Sequence, residues 1–304
     1  MHISLKKVFN LTMLIALGLS CNNNSSTKQS ANNLKDSLMK NKTVVKQTPK
    51  SEEIKGPAGK IFVLQHGEGG TPILFLHSFG GSTAHWKNQM EHLGNRKTIG
   101  MDLRGNGNSD VPANNDYAMA SLVKDVEVLV DSFNLDKFIL VGHSMGGAVA
   151  TAYAAKHSDK VVGLLVAGAP GTTPPEQSKP ILASLQSDKY DTVMSDYNEK
   201  LLTNATPSTN KMVLEGFKKI NKETSLKIIK SIFNFDAVAD FKKCTGPKLI
   251  VDIAGMEAQP GSLHNAFTNV PYKTISGTSH WMQLDKPDEF NKIVDDFLKI
   301  VESK

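Results

Sequence analysis

Ser144 and His280 are the two side chains whose types and settings suggest chemistry. Ser144 sits in Gly142-His143-Ser144-Met145-Gly146, a G-x-S-x-G sequence. An apolar run, Phe138 to Val141, precedes it, and the small-residue helical pattern Ala148, Ala152, Ala155 follows. A serine on so tight a strand-to-helix turn takes a strained backbone conformation, and side chains two residues to either side would clash, hence the glycines. The turn lifts Oγ out of the sheet and aims helix N-terminal amides at a reacting oxygen. A serine hydroxyl is barely ionised near neutral pH and needs a base within hydrogen-bond reach. His280 is the candidate, on the loop Ser276-Gly-Thr-Ser that follows the last strand. The competing reading, an ordinary strand–helix turn with a chance serine and a packed histidine, is outweighed by these settings together.

The surrounding pattern supplies elements to hold these groups. Lys60–Gln65 reads as a first strand, and Pro72 to Leu76 is a continuous apolar run, the mark of a strand buried on both faces. Ser82 to Leu93 has helical spacing, Thr98 to Asp102 is a short strand, and Tyr117 to Phe133 is a strong amphipathic helix. Val161 to Ala167 and Pro247 to Ala254 are further strands, and Pro287 to Val301 is a closing helix. Strands alternating with helices predict a parallel sheet with right-handed crossovers. Between Thr172 and Phe235 the texture is lysine-rich and helical, with no strand pattern.

From about Ile61 to the C-terminus the chain resembles the α/β-hydrolase family. The resemblance rests on the elbow, on His77-Ser-Phe-Gly-Gly after the third strand, on Asp102-Leu-Arg-Gly-Asn-Gly-Asn-Ser109, and on His280-x-x-x-x-Asp-x-Pro-x-x-Phe. It implies an α/β, doubly wound, mostly parallel sheet with a helical lid at 172–235 and a core at 56–171 and 236–304. It also implies an oxyanion hole from the amides of Phe79 and Met145. Ser78 stands where the family has Gly, and Asn106 replaces the commoner His. Asp102 and Arg104 are expected to bond their loop and its neighbours, so Asp102 is not the catalytic acid.

The family usually places that acid after the seventh strand, often as Gly-x-x-Asp, and no Asp stands there. Glu257, two residues after Gly255, keeps the chain order Ser…Glu…His and is preferred. Asp252 is the rival but falls mid-strand; Asp236 and Asp240 precede the strand, and an acid elsewhere stays open. The expected function is hydrolysis of carboxylic esters of small or medium size through a triad and an acyl-enzyme. The alternatives are C–C bond hydrolysis or cofactor-free peroxidase activity on the same triad, or a non-catalytic ligand-binding lipoprotein. A serine nucleophile argues against the family's dehalogenases and epoxide hydrolases, which use Asp. The histidines show no ligand spacing with carboxylates or thiols, so no metal or other cofactor is expected.

The N-terminus reads as an address. Lys6 and Lys7 precede a short apolar run, Val8 to Leu19, too short to span a bilayer permanently. Gly18-Leu-Ser-Cys21 resembles a bacterial lipoprotein signal, with Gly18 as its departure. Residues 1–20 are expected to be removed and Cys21 lipidated, which anchors an exported protein at the periplasmic or cell-envelope face. Residues 21–55, rich in Asn, Ser, Thr, Lys and Gln, read as a disordered tether. Without Lys6 and Lys7 the formal charge of +5 falls to +3, too mild to argue for nucleic acid. A monomer acting on a small-molecule ester is expected.

Overall fold

In the computed structural model, residues 48–256 and 261–303 are described. Among them, eight strands form one sheet in the order β1-β2-β4-β3-β5-β6-β7-β8. These are β1 (Lys50–Gly56), β2 (Gly59–His66), β3 (Ile73–Leu76), β4 (Thr98–Met101), β5 (Phe138–His143), β6 (Val161–Ala167), β7 (Lys248–Ile253) and β8 (Tyr272–Ile275). β2 pairs antiparallel with β1 and β4, and the strands from β4 through β3, β5, β6 and β7 to β8 run parallel. This is the doubly wound, mostly parallel α/β sheet that the pattern predicts.

The central parallel strands β3, β4, β5 and β6 are buried on both faces because their side chains alternate between two cores. Leu74, Leu140 and Val166 face one cluster with α2 (Met119–Ser132) and α3 (Met145–Lys156). Phe75, Val141 and Leu165 face the other, where Trp86, after a short 3₁₀ turn, and α11 (Pro287–Glu302) close the layer. Helix α1 (Lys87–His92) adds Met90 to it.

β1 lies inside the segment expected to be a tether, which corrects that boundary. Its Lys/Glu-rich sequence hides a period of two. Ile54 packs toward the core, while Lys60 pairs with Glu53 at 2.9 Å and Gln65 Nε2 donates to Glu52 at 3.0 Å. A charged, mostly exposed strand suits a sheet edge, where free backbone groups would otherwise invite pairing with another chain.

Register aligns the carboxyl ends of the central strands. Leu76 pairs with Gly142, His143 with Ala167, and Ala167 with Val251. The loops leaving these ends therefore meet on one edge of the sheet, where α/β proteins place their sites. Between β6 and β7 come α4 (Pro175–Gln186), α5 (Tyr190–Leu201), α6 (Pro207–Phe217), α7 (Lys222–Phe233) and α8 (Ala237–Lys243). After β7 come α9 (Leu263–Ala266) and, after β8, α10 (Met282–Asp285).

The loop after β4 is braced by its own charges. Asp102 accepts the backbone N–H of Thr83 at 2.6 Å and of Asn108 at 2.8 Å. Arg104 forms a buried fork with Asp125 on α2, through Nε at 2.5 Å and an Nη at 2.7 Å. Both ions are enclosed, so neither is stable without the other.

Candidate active site

Ser144 caps β5 with φ 54° and ψ −118°, a left-handed conformation that costs a non-glycine residue about 1–3 kcal/mol. Its surroundings hold it there. Ser144 N–H donates to the carbonyl of Ala167 at 2.8 Å, and its carbonyl accepts Ala148 N–H at 3.1 Å. A Cβ on Gly142 would lie 2.3 Å from Gly146 O, and one on Gly146 would lie 2.3 Å from Leu76 O. The two glycines let the elbow sit directly on β3 and its loop.

That loop carries Phe79. Gly80 N–H is taken by Asn106 Oδ1 at 3.0 Å and Gly81 N–H by Ser78 O at 2.9 Å. Among the described residues no acceptor is found for the amides of Phe79 or of Met145. Two amides on adjoining backbone turns thus remain free to receive an anionic oxygen, the requirement for stabilising a tetrahedral intermediate. Asn106 also donates from Nδ2 to Arg104 O at 2.9 Å, so it ties the Phe79 loop to the braced loop after β4.

His280 follows β8 and is 8% exposed. Its ring lies against Gly168, the residue after β6, where a Cβ would come 2.8 Å from Cε1 and 3.2 Å from Nδ1. The neighbouring Ala167 carbonyl holds Ser144, so the end of β6 supports both the serine and the imidazole. Among the described residues Nε2 of His280 is buried with no hydrogen-bond partner. Desolvation pushes its pKa down to about 4, so the ring is neutral near pH 7 and is a weak base until a carboxylate at Nδ1 stabilises its charged form.

Trp281 stands edge-on to His280, with ring centroids 5.3 Å apart and planes at 89°. Its indole N–H donates to Ser78 Oγ at 3.0 Å, which gives the serine that replaces glycine a role. Trp281 also packs with Leu202 and Val213 between β6 and β7 and meets Phe217 at 5.9 Å. Phe217 in turn meets Phe79 at 5.5 Å. The helices after β6 therefore rest directly on the Phe79 and His280 loops.

The acid is placed less completely. Glu257 lies outside the described residues, as does Cys21. Asp252 is the penultimate residue of β7, near the strand's carboxyl end rather than in its middle, and is 5% exposed. Asp236 caps α8, accepting from Ala239 N–H at 3.0 Å and from Thr172 Oγ1 at 2.6 Å, and Asp240 pairs with Lys243 at 2.7 Å. Those two carboxylates are committed to helix α8. Among the described residues the ion-paired histidines are His92 and His157, both away from this edge.

Three contacts here had no sequence signal: Trp281 with Ser78, Gln283 with His143, and Leu201 with His280. Each joins positions far apart in the chain by a single polar bond.

This fold and site define a class. The family profile described as alpha/beta hydrolase fold matches residues 71–243, more than half of the chain. The chain belongs to the alpha/beta hydrolase family and is a hydrolase. Among similar proteins, epoxide hydrolase 3 of Xenopus tropicalis is 29% identical over 263 residues, covering 75% of this chain and 71% of that protein. The AB hydrolase superfamily protein YisY of Bacillus subtilis is 40% identical over 119 residues, 37% of this chain and 43% of its own length. Solved structures share the fold. An enol-lactonase from Burkholderia xenovorans superposes with TM-score 0.68 at 23% identity, over 82% of this chain and 100% of that one. A thermophilic esterase from Thermogutta terrifontis gives 0.69 at 20%, over 83% and 99%.

Proposed function

We propose that the chain is a serine hydrolase of carboxylic esters of small or medium size. One observation carries this reading: the end of β6 supports both the strained elbow that presents Ser144, through Ala167 O, and the buried ring of His280, through Gly168, while His280 Nε2 makes no hydrogen bond to Ser144 Oγ among the described residues. His280 Nε2 takes the Ser144 proton as Oγ attacks the carbonyl carbon. The amides of Phe79 and Met145 receive the oxyanion, each worth about 10²–10³ in rate. The tetrahedral intermediate collapses, and His280 hands its proton to the departing alkoxide. His280 then takes a proton from the water that attacks the acyl-enzyme and returns it to Ser144 Oγ as the acid is released.

An imidazolium in so dry a place needs a carboxylate at Nδ1. Glu257 is proposed for that role and Asp252 is the alternative. The helices at 172–235 are proposed as a lid, since they pack on Trp281 and Phe79 rather than on remote surface. Epoxide opening, named for one of the relatives, does not suit this nucleophile. Attack on an epoxide by serine would leave an ether, which water does not cleave, whereas attack on an ester leaves an acyl group that it does.

The test is labelling by a fluorophosphonate and turnover of p-nitrophenyl acetate or butyrate. Wild type should label and turn over, and Ser144→Ala should do neither while remaining folded. Activity surviving in Ser144→Ala would discard the nucleophile.

A further inference from the structure

We infer that His143, set by Gln283, is a positioning residue that aligns the general base through its peptide group. The inference rests on the reading of Ser144 and His280 given above. His143 is completely buried. Its Nε2 lies 2.9 Å from the carbonyl oxygen of His280, and its Nδ1 lies 3.2 Å from Gln283 Nε2. A carbonyl oxygen only accepts, so Nε2 must carry the proton. Nδ1 must then accept, and Gln283 supplies the donor. A flipped Gln283 amide would turn its oxygen toward an unprotonated Nδ1, two acceptors face to face. The three groups therefore admit one consistent arrangement, Gln283 N–H to His143 Nδ1, and His143 Nε2–H to His280 O.

The arrangement is fixed in charge as well as in direction. Burial and the neighbouring histidines hold His143 well below its ordinary pKa, so it stays neutral and keeps one tautomer. The main chain of Gln283 is itself anchored: its backbone carbonyl accepts Gln89 Nε2 at 3.2 Å, and the same nitrogen reaches Asn291 Oδ1 at 3.1 Å on α11. The scaffold behind the nucleophile thus reaches the main chain of the base. The rings of His143 and His280 are 4.8 Å apart, so a tilt of one displaces the other. On the other side of the same residue, His280 N–H donates to Leu201 O at 2.9 Å. The two bonds hold the two peptide groups that flank the His280 Cα, and loss of either lets that Cα shift and moves Nε2 relative to Ser144 Oγ. Misplacement of about 1 Å can cost roughly 10²-fold in rate.

The experiment measures fluorophosphonate labelling kinetics, which need His280 to take the Ser144 proton but no particular acyl group. Wild type, His143→Gln, His143→Leu and Gln283→Met are compared after folding is confirmed by circular dichroism and thermal melting. Gln can place its Nε2–H near the position of the lost imidazole Nε2–H; Leu cannot. The maximal labelling rate should fall about 10²-fold in His143→Leu and less than 10-fold in His143→Gln, with half-saturation unchanged in both. Gln283→Met, which removes the donor to His143 Nδ1 and so unties the ring on that side, should lose about 3- to 10-fold. Equal loss in His143→Gln and His143→Leu, or full rates in Gln283→Met, would overturn the inference; if His143→Leu does not fold, the Gln283→Met result decides. Failure of wild type itself to label would instead remove the underlying reading of Ser144.

Discussion

Gly168→Ala separates backbone strain from misalignment of the base. Gly168 has φ +53°, so an L side chain there costs about 1–2 kcal/mol. For a domain of this size that is about 2–4 °C in Tm per kcal/mol. The larger effect is steric. The new methyl would stand 2.8 Å from His280 Cε1, against a comfortable separation of about 3.5–4.0 Å. The imidazole must withdraw by roughly 1 Å, which is worth about 10²-fold in kcat, or about 2.7 kcal/mol of transition-state stabilisation. Gly69→Ala is the matched control. It has φ +83° and its nearest neighbour would be Asn95 O at 3.9 Å, so it carries the strain without the collision. Both variants should melt a few degrees below wild type, and only Gly168→Ala should lose turnover of p-nitrophenyl butyrate. If kcat of Gly168→Ala stays within about 3-fold of Gly69→Ala, His280 is not the base or does not need this position.

Three other outcomes can be checked separately. Glu257→Gln should lower kcat by about 10⁴. Its acid limb should also move down toward pH 4: activity follows the neutral imidazole and is lost as pH falls through its pKa, which burial alone sets at about 4 and a nearby carboxylate raises. If Asp252→Asn gives that loss and Glu257→Gln does not, the acid is Asp252. Asp125→Ala strands the Arg104 guanidinium in the interior and should cost about 3–5 kcal/mol in urea unfolding; a cost below about 1 kcal/mol would mean that water reaches the arginine. Cys21→Ser should release the expressed protein from the membrane fraction, and a variant still sedimenting with membranes would speak against a lipid at that residue.

The fold was legible because its determinants are local. Phe138–Val141 and Val161–Ala167 are short β-branched and apolar runs bounded by glycine or turn residues, the pattern of interior strands, and the elbow glycines are required by contacts of 2.3 Å. β1 was illegible because an edge strand needs few apolar residues, and Lys50-Ser-Glu-Glu reads as solvated chain. The support of His280 was illegible for another reason. His143 meets Gln283 across 140 positions and Ser78 meets Trp281 across 203, and neither type at neither place is unusual until the sheet brings them together. His143 was visible only as the variable letter of G-x-S-x-G.

On the proposed reading of a lid and a catalytic His280, the bond from His280 N–H to Leu201 O links access to competence. Leu201 ends α5, in a stretch that the sheet itself does not include. If those helices swing outward to admit an ester, the excursion that unseats Leu201 also unlatches the base. The open enzyme would then be idle, and turnover would wait until the stretch had settled back over its guest. Such a molecule could not spend an activated serine on passing water or on stray acyl donors while its mouth stands ajar.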